Sequence, residues 1–356
     1  MVENVRVAFG TGVVLGLWRG QLAVAPTTAH FLTYYNGRCN SNCRFCPQAR
    51  ESTTDLKMLS RVIWPQAELK KVLAALSENS NEFKRVCIQA VNYPRVMDDI
   101  CELVTRVKSV CGLPISVSCQ PLKVDDIQKL AGIGVERVSV ALDAATPELF
   151  EHIKGGGYTW EEHIKALERA RVIFGDRVST HLIAGLGESE EEMVRAIQLL
   201  HDRGITIGLF AFTPISGTAL SGRPQPDVSS YRRIQLARFF IINNMSRAEL
   251  MRFDDGRIVE FGVGQDVLNR TGVNLKLSQI GHSVLNRTHT PHEVSQIGHD
   301  VLNRTVTSGA PFLTSGCPDC NRPFYNESPK GPIYNYPRKP TLKEIEKIKA
   351  ELGLIA

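Results

Sequence analysis

The chain reads as an α/β protein: a partial (β/α)6 barrel of the TIM type followed by a C-terminal extension. Two observations predict this. Short Val/Ile-rich runs alternate with helical patterns from about residue 27 to 245, and continuously apolar strands are what a parallel sheet covered on both faces requires. The loop after the first run carries Cys39, Cys43 and Cys46. Barrels of this kind place their chemistry at the C-terminal ends of strands. The alternation alone would also suit a doubly wound sheet. The cysteine-rich first loop favours the barrel.

The predicted strands are Thr28–Tyr35, Arg85–Ala90, Ile115–Cys119, Arg137–Leu142, Val178–Ala184 and Thr206–Phe212. The predicted helices are Pro65–Leu76, Asp98–Val110, Val124–Ala131, Thr159–Phe174 and Glu190–Arg203. Pro65 and Asp98 suit helix starts, and Gly132 and Gly204 suit stops. Before the barrel, residues 1–26 form a helical segment in this reading. Ala8–Trp18 followed by Ala23-Val24-Ala25 imitates a secretion signal, but Glu3 lies near the start and Arg6 is the one early cation. A core-packing helix fits better.

Residues 246–263 connect the barrel (27–245) to a tandem repeat at 264–305. Gly264–Thr271, Gly281–Thr288 and Gly298–Thr305 recur as G-[QH]-[DS]-V-L-N-R-T with a period of 17 residues. That period is shorter than common solenoid units. The repeat reads as a duplicated surface insertion, and residues 306–356 form the extension.

At 356 residues, with 43% hydrophobic and 22% charged residues, the chain has ample material for one barrel-sized core. A net charge of +5 is too mild to predict nucleic-acid binding, though it is compatible with an acidic carrier protein. No apolar run reaches membrane-spanning length. Nine cysteines in clustered spacings fit metal binding in a reducing cytoplasm rather than a disulfide framework.

Cys39, Cys43 and Cys46 have the spacing C-x3-C-x2-C, with Phe45 before the last. Three thiolates this close can hold three irons of a [4Fe–4S] cube and leave the fourth open to a ligand. The competing reading is a zinc site completed by the distant Cys317 and Cys320. The motif with its aromatic resembles the radical S-adenosylmethionine (radical SAM) superfamily. That resemblance implies a [4Fe–4S] cluster with SAM on its open iron, and one-electron cleavage of SAM to a hydrogen-abstracting 5′-deoxyadenosyl radical. It also implies SAM contacts at Phe45, at Gln89 and Ala90 after the second strand, and at Ile183 and Gly185 in Leu182-Ile183-Ala184-Gly185-Leu186-Gly187-Glu188. The Gly-Gly-Glu usual after the second strand is replaced by Gln89 and Ala90, as in the biotin-synthase-like branch. Asp143, ending the fourth strand, suits either the ribose hydroxyls or the N-cap of the helix beginning near Pro147.

The second strong motif is Gly316-Cys317-Pro318-Asp319-Cys320-Asn321-Arg322-Pro323-Phe324-Tyr325-Asn326-Glu327. It reads as a metal-binding loop outside the barrel. An auxiliary Fe–S cluster on Cys317 and Cys320 fits it better than a closed zinc site, with a further ligand from Cys87, Cys119 or Ser315. With Tyr334-Asn335-Tyr336-Pro337-Arg338, this run is similar to two-component lipoyl synthases. The resemblance implies sulfur insertion into an octanoyl chain on a carrier protein or lipoyl domain, a paired radical SAM synthase, and a ferredoxin or flavodoxin reductant. The alternatives are a biotin-synthase-like enzyme acting on a free small molecule, and an Fe–S electron-transfer or cluster-carrier protein.

Overall fold

A computed structural model describes residues 1–154, 157–263 and 291–354, without the side chains of 291–297. Its strands are β1 (Asn4–Val7), β2 (Thr28–Thr33), β3 (Met58–Leu59), β4 (Val62–Ile63), β5 (Gln66–Glu68), β6 (Arg85–Gln89), β7 (Ile115–Cys119), β8 (Arg137–Val140), β9 (Val178–Ala184), β10 (Thr206–Ala211), β11 (Arg252–Asp254) and β12 (Arg257–Glu260). Its α-helices are α1 (Phe9–Val14), α2 (Leu69–Asn79), α3 (Val96–Lys108), α4 (Val124–Gly132), α5 (Pro147–Lys154), α6 (Trp160–Phe174), α7 (Glu190–Asp202), α8 (Val228–Ile242), α9 (Pro291–Ser308) and α10 (Leu342–Glu351).

The main sheet runs β10-β9-β8-β7-β6-β2-β1-β5. The six strands from β2 to β10 are parallel and are those the sequence predicts. Buried aliphatic side chains on the strands and on the inner faces of α2, α3, α4, α6, α7 and α8 form one core. The order ends at β10 and β5 without closing, so this is a partial barrel. Helix starts are set locally. Thr159 with Glu162, Ser189 with Glu192 and Thr341 with Glu344 form capping boxes for α6, α7 and α10, which satisfy otherwise orphaned backbone donors.

Several expectations change. The N-terminal segment is not wholly helical: β1 pairs antiparallel with β2, and α1 covers six residues. Gln66–Glu68, expected within a helix, pairs with β1 as an edge strand. The first two repeat copies lie outside the described residues. The third, Gly298–Thr305, lies inside α9, where Thr305 is buried and Val301 and Leu302 pack against the core. That copy is therefore not a free surface insertion.

The extension is not outside the barrel either. On the β2 side, the Thr27 N–H donates to Asn321 Oδ1 at 2.9 Å. On the β10 side, the Leu209 N–H donates to Ser315 Oγ at 2.8 Å. Between them, Arg85 Nε donates to the Pro318 carbonyl at 3.1 Å. Residues 314–326 thus lie against β6, β9 and β10 and the residue before β2. Gly316 adopts φ +121° here, a conformation that favours glycine.

Candidate active site

Two sets of thiols occupy the barrel. The first is on the loop after β2. Cys39, Cys43 and Cys46 line one cavity with Phe45, Gln89 and Ala90. The loop is tied down by its own backbone: the Cys39 N–H donates to the Gln48 carbonyl at 3.0 Å and the Cys46 N–H to the Cys43 carbonyl at 2.9 Å. The Asn92 N–H donates to Cys39 Sγ at 3.1 Å, a bond that strengthens when the sulfur is ionised. Burial, then the neighbouring Cys43, pushes the Cys46 thiol well above its ordinary range. Burial also raises Cys43, with Lys154 opposing it and Asp143 and Cys39 adding to it. Among the described residues no three His, Cys, Asp or Glu side chains converge as one ion's ligand set. In a cube the three thiolates meet different irons, so they need not converge.

The cavity also carries orphaned polar atoms. Gln89 Nε2 and Gln120 Oε1 are buried without a hydrogen-bond partner, and both residues line it. Buried amides of this kind offer a donor and an acceptor to a polar ligand or to water. Ile183, Phe45 and Phe212 supply an apolar wall. Gly185 stands behind that wall. Its carbonyl accepts from Arg223 Nε at 2.8 Å, and with φ +101° a Cβ would lie 2.9 Å from Pro226 Cδ.

Asp143 does not cap α5, because Thr146 Oγ1 accepts from the Leu149 N–H there. Instead Asp143 Oδ2 accepts from Lys154 Nζ at 2.6 Å, with the two side chains 7% and 2% exposed. Lys154 follows no sequence motif and was not predicted, yet it lines the cavity beside the cysteines. Burial lowers its pKa, but Asp143, Cys43 and Cys46 outweigh that and keep it cationic.

The second set contains Cys87 on β6 and Cys317 and Cys320 from the extension. Burial pushes the Cys87 thiol up to about 12, Cys317 and Cys320 add to this, and Arg322 opposes it. Cys320 Sγ lies 3.7 Å from His30 Nε2, and Cys317 Sγ 3.9 Å from Ser179 Oγ. Of the candidate ligands, Cys87 is the thiol that feels Cys317 and Cys320. Cys119 does not: it lines the first cavity. Ser315 is engaged by the Leu209 amide. Cys317 and Cys320 are not in the wall around Cys39, Cys43 and Cys46, so the zinc reading that joined all five finds no support.

Residues 33–200 match the radical SAM superfamily. Those residues form a radical SAM domain, and the chain is similar to the biotin-synthase-like branch. Biotin synthase of Clostridium botulinum is 24% identical over 247 residues, covering 68% of this chain and 74% of that protein. Biotin synthase of Anaplasma marginale is 29% identical over 238 residues, covering 64% and 69%. The fold is shared with HydG, a maturase of the [FeFe]-hydrogenase, at a TM-score of 0.50 and 16% identity over 60% of this chain and 50% of that one. A radical SAM domain implies a [4Fe–4S] cluster and SAM. The first thiol set and the orphaned amides fit that pair of ligands. No helix among the described residues is long and apolar enough to cross a membrane.

Proposed function

We propose that this radical SAM enzyme inserts sulfur into an unactivated C–H bond of a protein-bound octanoyl chain, as a lipoyl synthase component. The observation that carries the reading is the second thiol set, Cys87, Cys317 and Cys320, inside the barrel that holds the first set. When loaded, the first site would supply the hydrogen-abstracting radical and the second would supply sulfide. The chain's own residues bind and orient. Cys39, Cys43 and Cys46 would hold the first cluster, and Lys154 would balance the negative charge gathered there. Phe45, Gln89, Ala90, Asp143 and Ile183 line the SAM cavity, while Gly185 shapes its wall from behind. Phe210 and Phe212 add apolar surface suited to an alkyl chain and exclude water.

The extension motif supports the lipoyl reading, with an octanoylated carrier protein or lipoyl domain as substrate. A paired synthase and a ferredoxin or flavodoxin reductant follow from the same resemblance. The biotin synthase relatives favour a second reading, sulfur insertion into a free small molecule.

The test is anaerobic reconstitution with SAM, reductant and an octanoyl-lysyl peptide, read by mass spectrometry, with dethiobiotin run in parallel. A thiolated octanoyl product is expected. SAM cleavage without that product, or thiolation of dethiobiotin alone, would overturn the proposal.

A further inference from the structure

Leu59 and Ser60 stand in the wall of the cavity that holds the thiol loop, and so do Tyr325 and Asn326 of the extension. Three hydrogen bonds join these two segments. Ser60 Oγ donates to the Tyr325 carbonyl at 2.9 Å. Arg61 Nη1 donates to the Phe324 carbonyl at 2.9 Å and to the Glu327 carbonyl at 2.8 Å. Ser60 and Arg61 form the two-residue turn between β3 and β4. Ser60 has φ +50° and Phe324 has φ +55°, conformations that non-glycine residues rarely hold. Such backbone persists only where its surroundings fix it. Here the turn and the extension fix each other.

The turn is itself tied to the thiol loop. The Gln48 carbonyl accepts from the Cys39 N–H. The buried Gln48 side chain donates from Nε2 to the Leu56 carbonyl at 2.8 Å and to the Met58 carbonyl at 2.6 Å, where β3 begins. Just past β4, the buried Trp64 packs edge-on against the Tyr325 ring at 6.0 Å. A continuous set of contacts thus runs from Cys39 through Gln48 and the β3–β4 turn to the cavity face of the extension. From the opposite side, Thr213 Oγ1 donates to the Asn326 carbonyl at 2.5 Å. Residues 324–327 are therefore held at both edges.

We propose that Arg61 is a positioning residue that latches the extension across the cavity. It holds the wall formed by Tyr325 and Asn326 in fixed relation to the thiol loop, so that substrate lies against the place where the radical forms. The cavity and the thiol loop belong to the radical SAM domain, and only the substrate used in the test rests on the function proposed above. The rigid, permanently charged guanidinium suits this task, because it bridges two carbonyls three residues apart at little cost in side-chain freedom. A shorter neutral side chain cannot span both.

The experiment compares full-length wild type, R61Q and S60A. Hydrogen exchange of the apo proteins is read by mass spectrometry over the peptide spanning residues 321–331. After anaerobic reconstitution, iron content, SAM affinity and 5′-deoxyadenosine formed per octanoyl-lysyl peptide consumed are measured. R61Q is expected to exchange roughly tenfold faster in that peptide, as the loss of one or two such bonds gives. Iron and SAM affinity should stay at wild-type values, while 5′-deoxyadenosine per peptide consumed rises by about fivefold or more. S60A, which loses one bond of the three, should fall between wild type and R61Q. Wild-type exchange in R61Q overturns the latch. Faster exchange with an unchanged ratio makes Arg61 merely structural and overturns the positioning role. If R61Q yields no soluble protein, R61K and S60A are judged by the same two criteria. A wild type that consumes no octanoyl peptide overturns the substrate reading, and the exchange measurement still decides the latch.

Discussion

Lys154 donates to Asp143 across 2.6 Å, with both side chains buried in the cavity wall. Asp143 adopts φ +68°, and its backbone bonds on both sides to β9: its N–H to the His181 carbonyl and its carbonyl to the Ile183 N–H, each at 2.8 Å. A strained residue pinned in this way serves to aim a side chain. Here the side chain aims a cation at the thiol loop.

Removing that cation leaves a buried carboxylate without a partner, which typically costs about 3–5 kcal/mol. K154M should therefore lose stability of that order in denaturant titration of the apo protein and should bind SAM more weakly once loaded. A K154M protein with wild-type stability would show that the pair does not organise the cavity.

Substituting Cys39, Cys43 or Cys46 by alanine should abolish SAM cleavage, because each leaves the cube short of a thiolate. The measurement is 5′-deoxyadenosine by chromatography. Full production by the triple variant would remove the first site from the account.

Two buried histidines and one in the cavity wall predict a pH dependence. Burial holds His30, His163 and His181 near a pKa of about 3, below the unfolded value of about 6.5. The unfolded chain then binds more protons between those values. Stability from these groups is fully present above pH 6.5 and falls as pH drops toward 3. His163 lies away from the second thiol set, packed against Phe150 and Tyr158. Apo H163F should show a shallower loss of stability from pH 6.5 to 4, by up to about 1.4 kcal/mol per pH unit. An unchanged slope would mean that His163 titrates normally in the folded state.

The third repeat copy tests the boundary of the core. Val301 and Leu302 pack against buried residues from within α9. V301D and L302D should each lower the melting temperature by several degrees, as a loss of about 1–3 kcal/mol would. Unaffected melting would restore that copy to the status of a dispensable insertion.

The six parallel strands were legible because burial on both faces leaves apolar runs that helices of this length do not imitate. The edge strands were not. Asn4–Val7 is four residues long, and Gln66–Glu68 follows Pro65 with residues that also suit a first helical turn. Helix α8 escaped notice because Arg232, Gln235 and Arg238 are buried on it beside apolar residues, which erases the amphipathic stripe. In the site, the cysteine spacings carried the reading. Lys154 could not be found that way, since its partners are eleven residues back and on a separate loop. Cys87 stood in the sequence as one option among three. It took the packing of the extension against β6, where Arg85 Nε meets the Pro318 carbonyl, to single it out.

The central claim is that radical generation and sulfur donation occupy separate thiol sites. The most direct measurement is the C317A/C320A double variant, reconstituted anaerobically and assayed for iron, SAM cleavage and thiolated octanoyl peptide together. The account predicts iron falling to about one cube per chain, continued SAM cleavage, and no thiolated product. A double variant that keeps two clusters, or still makes thiolated product, would contradict it.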